Sequence, residues 1–324
     1  MLDAANGLAQ AAERAAVGVV EAIAGAAPGW LALAVALHLL NQLARGRGWH
    51  VIVGLACPGD SRLRVRDAIG AWVAGAGMGG VLSARGGDAV RVVLLRQRLP
   101  DVRYPRLAGT LVAEAAGETA VGVGLVLVLL AGGLGPGPTI GDPALGWILV
   151  AALAGVGAAV ALRSRWSALR RLIAELGRGC SALGEPRVYA RAVLPWQLTS
   201  RLMRASSLMC FLVAFGLPAT PEAVALVMVA QGGGRVLPLA PASLAATVAV
   251  LAAGFPSATG ADVSAAALAG FVVGTSTTLT LVGVALAVGI TVWMAGPRAL
   301  RAALRVRWGI VAPGGGPQRG AVEL

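Results

Sequence analysis

Long apolar runs alternate with short polar breaks along this chain, and the runs have helical rather than strand-like lengths. Residues 28–45, PGWLALAVALHLLNQLAR, form the first run long enough to cross a bilayer. They end in Arg45, Arg47, Trp49 and His50, with Trp30 and Trp49 placed where interfacial aromatics belong. Residues 67–95 are apolar again but broken in the middle by Gly75, Gly77, Gly79 and Gly80, then Ser83, Arg85, Gly86, Gly87 and Asp88. Such a segment enters the membrane, turns and returns to the same face. Spans follow at 107–134 and 145–162, joined by the arginine-free loop GPGPTIGDPA. Within 163–191, Trp166, Leu169, Ile173, Leu176 and Cys180 recur at helical spacing, while Arg170, Arg171, Glu175 and Arg178 face elsewhere. This predicts an amphipathic linker helix lying in the membrane interface. A further span covers 192–217. Residues 223–255 are then interrupted by QGGGRVLPLAP, which predicts a second hairpin. The last span, 263–296, is expected to bend near Gly270 and Gly274. Residues 1–27 read as an interfacial or loosely ordered alanine-rich helix without a cleavable signal peptide, and 312–324 as a disordered Gly/Pro tail.

Composition supports this reading. Of 324 residues, 57% are hydrophobic and 13% charged, with a mean hydropathy of +0.78, values that belong to an integral membrane protein. The net charge is +12, and every basic residue apart from histidine is an arginine. Arginine-rich loops stay on the cytoplasmic side. Arg62, Arg64 and Arg66 precede the first hairpin, and Arg96, Arg98, Arg103 and Arg106 follow it. That hairpin therefore starts and ends inside. The second is flanked by LPATPE and PSATGAD, which lack arginine, and so enters from outside. Arg298, Arg301, Arg305 and Arg307 hold the last span's end in the cytoplasm, and the N-terminus falls outside. The predicted fold class is an all-α polytopic membrane protein with about five full spans and two re-entrant or broken-helix hairpins. Its halves, 28–162 and 192–311, joined by the linker 163–191, form an inverted-topology repeat of the kind found in transporters.

Several function classes drop out. The positive charge is split into short loops between apolar spans, which does not suit nucleic acid. Cys57, Cys180 and Cys210 make neither a metal pattern nor a disulfide framework. His38 and His50 are isolated, no Walker loop is present, and no nucleophile–base set is evident. No enzyme activity, cofactor or metal is expected.

Polar groups at membrane depth are the functional candidates, because each costs about 2.5–3.5 kcal/mol unless paired. Arg85, Asp88 and Arg91 lie in the first hairpin, with Asp88 and Arg91 three apart on one helical face. Glu114 and Glu118 lie at i, i+4 in the next span, beside the small pair Ala113 and Gly117. Two facing carboxylates need an arginine, a cation or a shared proton; Arg85 and Arg91 are the natural partners. Arg235 sits at the glycine break of the second hairpin, where a broken helix would aim backbone N–H groups at an anion such as a lipid phosphate. Gly87, Gly232, Gly233, Gly234, Pro238 and Pro241 are expected to shape the two hairpins. Arg201 and Arg204 either lie in the membrane or snorkel to the interface.

Residues 83–91, SARGGDAVR, resemble the hallmark of the lysylphosphatidylglycerol synthase transmembrane-region family of flippase-like proteins, typically P-x-R-x-G-E-x-x-R. Arg85, Gly87 and Arg91 match in register, Asp88 replaces the glutamate, and Ser83 replaces the proline. Glu114 and Glu118 are similar to the acidic pair of the family's next span. LPLAPASLAA keeps Pro238 and Pro241 of the P-x-x-P-G-x-x-G hairpin but loses its glycines. The resemblance covers about residues 28–296 and implies a protein that moves or supplies lipid-linked groups, without the soluble synthase portion some members carry. The leading expectation is a lipid translocase of the bacterial inner membrane, with a polar cavity between the two opposed hairpins. Its expected partners are membrane lipids, above all an anionic or aminoacylated phospholipid. A separate lipid-modifying enzyme and a second copy of the chain are further candidates. The alternatives are a non-transporting subunit that recruits a lipid-modifying enzyme or glycosyltransferase, and an ion-coupled small-solute transporter.

Overall fold

The computed structural model describes residues 21, 23–81, 84–131, 167–234 and 240–307. Among these residues every element is helical. In chain order they are α1 (Pro28–Ala56), α2 (Val65–Val81), α3 (Ala84–Arg98), α4 (Tyr104–Ala131), α5 (Ser167–Gly179), a 3₁₀ turn (Ser181–Gly184), α6 (Pro186–Ala192), α7 (Leu194–Ala214), α8 (Pro221–Gly234), α9 (Ala240–Thr259) and α10 (Ala265–Arg307). One helix among the described residues, Ala265–Met294, is long and apolar enough to cross a membrane, with a mean hydropathy of 1.9 over its best stretch. Pro221–Gln231 and Leu244–Thr259 are shorter apolar helices, a length that suits re-entrant segments. The expected span at 145–162 and the expected N-terminal helix and C-terminal tail lie wholly or largely outside the described residues.

Two expectations are corrected. The first helix does not stop at Arg45 but continues to Ala56, so Arg45 and Arg47 are interior to it. The glycines of the first hairpin do not break it: α2 runs unbroken to Val81. Gly232–Gly234 are the last residues of α8, at the edge of the expected break, and α10 runs past Gly270 and Gly274 as one 43-residue helix. For the glycines of α2 the reason lies in packing. Glycine weakens an isolated helix, but inside a bundle its missing Cβ lets another backbone approach.

The neighbours of these glycines bear this out. A Cβ on Gly77 would strike the carbonyl of Gly283 on α10, and one on Gly87 would lie 2.9 Å from Gly79 Cα. A Cβ on Gly46 would lie 2.9 Å from Ile69 Cα, which ties α1 to α2. Successive contacts run in opposite directions along each pair, so α2 is antiparallel to α1, α3 and α10. The α1–α7 pair is also antiparallel. Ala27 N–H donates to Ala214 O at 2.9 Å, Ser207 Oγ donates to Ala34 O at 2.7 Å, and Arg47 lies over the Trp196 ring.

Two apolar cores sit at opposite ends of these long helices. The first gathers Trp49, Val53, Trp72, Leu95 and Leu99 with Ala287 and Met294 of α10. The second gathers Ala34, Phe211, Val227, Leu251 and Phe255 with Leu268 and Phe271 of α10. Hairpin α2–α3 belongs to one core and hairpin α8–α9 to the other. Trp49 was expected at an interface; it is fully buried, and its indole N–H donates to Thr110 Oγ1 at 3.0 Å.

The linker helix also differs from expectation. Glu175 does not face away from the protein but is buried against α4, where Arg103, Arg106 and Arg178 pair with it at 3.5, 3.2 and 2.8 Å. Gly109 and Gly179 permit the close crossing of α4 and α5.

The α2–α10 crossing depends on the absence of a side chain at Gly77. Gly77→Ala is expected to lower stability by about 1–3 kcal/mol through overpacking. Gly124→Ala, at an exposed position with open space around it, is expected to leave it unchanged. Thermal unfolding in detergent measures both.

Candidate functional site

A group of paired charges lies where α1, α3, α4 and α7 meet. Arg45, on α1, points its Nη2 at both carboxylates of α4, 3.3 Å from Glu114 Oε1 and 2.5 Å from Glu118 Oε1. Arg91, on the second arm of the first hairpin, reaches Glu114 Oε2 from the other side at 3.6 Å and holds Asp88 Oδ1 at 2.5 Å. A third guanidinium, that of Arg201 on α7, donates from Nη2 to the Glu118 backbone oxygen at 2.9 Å. Two guanidinia thus pair with three carboxylates, and a third binds a backbone carbonyl beside them; an ion taken from water without a partner costs several kcal/mol.

Trp72 fixes the arrangement. The guanidinium carbon of Arg91 lies 3.8 Å from the Trp72 ring centroid, and that of Arg45 lies 4.8 Å away. Both distances are within the range of cation–π attraction, which strengthens when water is excluded. The indole N–H donates to Gln42 Oε1 at 3.0 Å, and Gln42 Nε2 meets His38 Nε2 at 3.0 Å. Gly75 makes room for Arg91: a Cβ there would collide with the arginine's aliphatic stem.

Below this cluster Tyr189 Oη accepts from Gln197 Nε2 at 2.8 Å and lies against Gly117, where a Cβ would leave it no space. The small pair Ala113 and Gly117 therefore admits a tyrosine side chain rather than a helix backbone. Beside the cluster a cavity of about 10 Å³ is lined by Arg45, Trp49, Glu114, Glu118, Gln197 and Ser200 among others. That is room for about one water molecule. The expected cavity between the two hairpins would involve their tips at 82–83 and 235–239, which lie outside the described residues. The described charges lodge beside one hairpin, and the space next to them is too small for a headgroup.

The expected site residues are placed as follows. Asp88, Arg91, Glu114 and Glu118 come together. Arg85 falls in the first turn of α3. Arg201 and Arg204 turn inward rather than snorkelling; Arg204 Nη2 donates to Gln231 Oε1 of α8 at 2.8 Å. Pro241 lies in the first turn of α9, where a missing N–H is tolerated. Arg235 and Pro238 lie outside the described residues. Among the described residues no group of three or more metal-binding side chains occurs.

Sequence reasoning missed Arg45, Trp72, Gln42 and Gln197. A signal was present: His38, Asn41, Gln42 and Arg45 recur at three- and four-residue spacing, which makes a polar stripe along one face of α1. The arginine itself was read as a loop marker.

This is a helical protein with two hairpins at opposite ends of one bundle and a paired-charge cluster in its interior. The model of the lysylphosphatidylglycerol synthase TM region matches residues 12–284, and the chain belongs to that family of membrane proteins with a lipid-related role. No curated protein and no solved structure shows a significant match to it.

Removing one partner of a buried pair costs more than removing the pair. Arg45→Met is expected to destabilise the protein by about 3–5 kcal/mol. Adding Glu114→Gln and Glu118→Gln is expected to recover most of that loss, as read from denaturation midpoints of the single, double and triple variants.

Proposed function

We propose that the protein is a lipid translocase of the bacterial inner membrane and not an enzyme. It would carry a phospholipid or lipid-linked headgroup past the first hairpin while the acyl chains stay in the bilayer. The observation that carries this reading is the cluster Arg45–Glu114–Glu118–Arg91–Asp88 stacked on Trp72 inside an apolar bundle. Ionisable groups at such depth mark substrate pathways. Guanidinia are suited to phosphate because their N–H forks match its oxygens. With the carboxylates in place both guanidinia are paired, so an arriving phosphate would take over the guanidinia from Glu114 and Asp88. The freed carboxylates would then be available to a cationic, aminoacylated headgroup.

The water-sized cavity beside the charges supports reading this conformation as a closed state, from which the helices would separate to allow passage. The gap would open beside α2, whose Gly70, Gly77 and Gly80 face α10. Membrane orientation follows the arginine-rich ends, with the first hairpin on the cytoplasmic side. Arg85 and Arg235 would supply further positive charge at the hairpin breaks.

The test is movement of headgroup-labelled phosphatidylglycerol and its aminoacylated form in proteoliposomes. Wild type is expected to exceed protein-free vesicles clearly. Arg91→Gln and Glu114→Gln are each expected to slow movement by about tenfold or more while remaining folded. Wild-type movement at background, with reconstitution verified, would refute the translocase.

A further inference from the structure

Three threonines of this protein share a habit that two others, on α10, do not follow. Thr110, Thr119 and Thr259 each donate their hydroxyl to a backbone carbonyl three or four residues earlier, at 2.6, 2.8 and 2.9 Å. That is the ordinary way a helix satisfies a buried hydroxyl. Thr275 and Thr278 of α10 do not follow it. Their Oγ1 atoms are buried without a hydrogen-bond partner, and Thr275 is only 2% exposed. An unmet buried hydroxyl is unfavourable, and no packing need explains two hydroxyls where valine would fit. Orphaned groups of this kind point to a partner that is absent in the closed form.

Their position gives that partner a place. Along α10, Leu268, Phe271 and Val272 belong to one apolar core and Ala287 and Met294 to the other. The hydroxyl-rich stretch Thr275–Thr280 lies between them. A Cβ on Gly80, in the last turn of α2, would lie 3.4 Å from the Thr280 side chain, so Thr278 and Thr275 lie successively beyond the end of that hairpin arm. Gly274 faces Phe215 at the end of α7, which is level with the start of α1 through the Ala27–Ala214 contact. Arg45 sits well down α1 from that level, by about 25 Å at the helical rise. The remaining orphaned side-chain atoms are Arg96 Nε and, at the charge cluster, Arg45 Nε, Arg91 Nε and Gln197 Oε1. Apart from Arg96 Nε, the unmet polar groups among the described residues mark two heights of the bundle, one at the charge cluster and one at the threonines.

We infer that Thr275 and Thr278 form a second, hydroxyl-only station, which hydrogen-bonds the phosphate oxygens of a lipid headgroup after it leaves the charge cluster. The inference deepens the translocase reading and rests on it. A neutral station suits this position. It offers donors to an anion, yet holds it more weakly than guanidinia do, so the headgroup can leave.

The experiment compares wild type, Thr275→Val/Thr278→Val and Thr275→Ser/Thr278→Ser in proteoliposomes with headgroup-labelled phosphatidylglycerol. Each protein's thermal midpoint is also measured with and without short-chain phosphatidylglycerol. The valine pair is expected to slow translocation about tenfold or more, the loss of about one charge-assisted hydrogen bond, with a midpoint equal to or above wild type. The serine pair is expected to stay within about twofold, since the donors remain. Wild-type rates in the valine pair would overturn the station. So would a loss of rate accompanied by a lowered midpoint, which would mark the hydroxyls as structural. If wild type itself moves no lipid, the translocase reading fails separately. The hydroxyls are then upheld only as a headgroup-binding site, without a role in passage, if the lipid-induced rise in midpoint is present in wild type and absent from the valine pair, and that too falls if the two respond alike.

Discussion

The bundle depends on one condition: carboxylates carried on α4 into its interior must meet guanidinia there. Glu114 is nearly fully buried and is approached by Arg45 from α1 and Arg91 from α3. These three helices are therefore bound by a requirement stronger than apolar contact. Burying any one of the charges alone would be prohibitive, and burying them together is tolerable. Trp72 completes the arrangement by giving both guanidinia an aromatic face, which lets two positive charges share a small volume. The polar stripe of α1 and the glycine at position 75 follow from that same demand.

The two apolar cores divide the remaining work. One surrounds the first hairpin beside the charges, and the other surrounds the second hairpin beyond them. Helices that carry polar residues at mid-length and apolar residues toward each end produce this layering directly: α1 changes from Ala34 through His38, Gln42 and Arg45 to Trp49, and α10 from Phe271 through Thr275–Thr280 to Ala287. Small residues then set how closely the layers approach, since in a membrane helix association relies on van der Waals fit more than on expulsion of water.

Much of this was readable from the amino-acid sequence. The apolar runs, the two hairpins, the family and the meeting of Glu114 with Arg91 all follow from periodicity, spacing and motif. What escaped has a common physical cause. Arg45 was taken as the end of a span because arginine usually marks a loop, and only the tertiary partners Glu114 and Glu118 make it tolerable inside. Gly75, Gly77 and Gly79 were taken as a break because their intrinsic propensity is poor, whereas the packing of α3 and α10 against them reverses that preference. Glu175 was assigned to the polar face of its helix, and its burial depends on Arg103 and Arg106, which lie about seventy residues earlier in the chain and which no local pattern connects to it. Trp72 carries no sign in the sequence that distinguishes it from an ordinary core aromatic.

The last helix runs unbroken for 43 residues and is gripped at one place by the second core and at another by the first. A rigid rod held in two bearings cannot tilt in one without being displaced in the other. The two ends of the bundle are in this sense mechanically reciprocal: loosening the grip near Ala287 swings the shaft against Phe271, and the reverse. Glycines at positions 70, 77 and 80 let the shaft lie close against α2 at one bearing, whereas phenylalanines line the other.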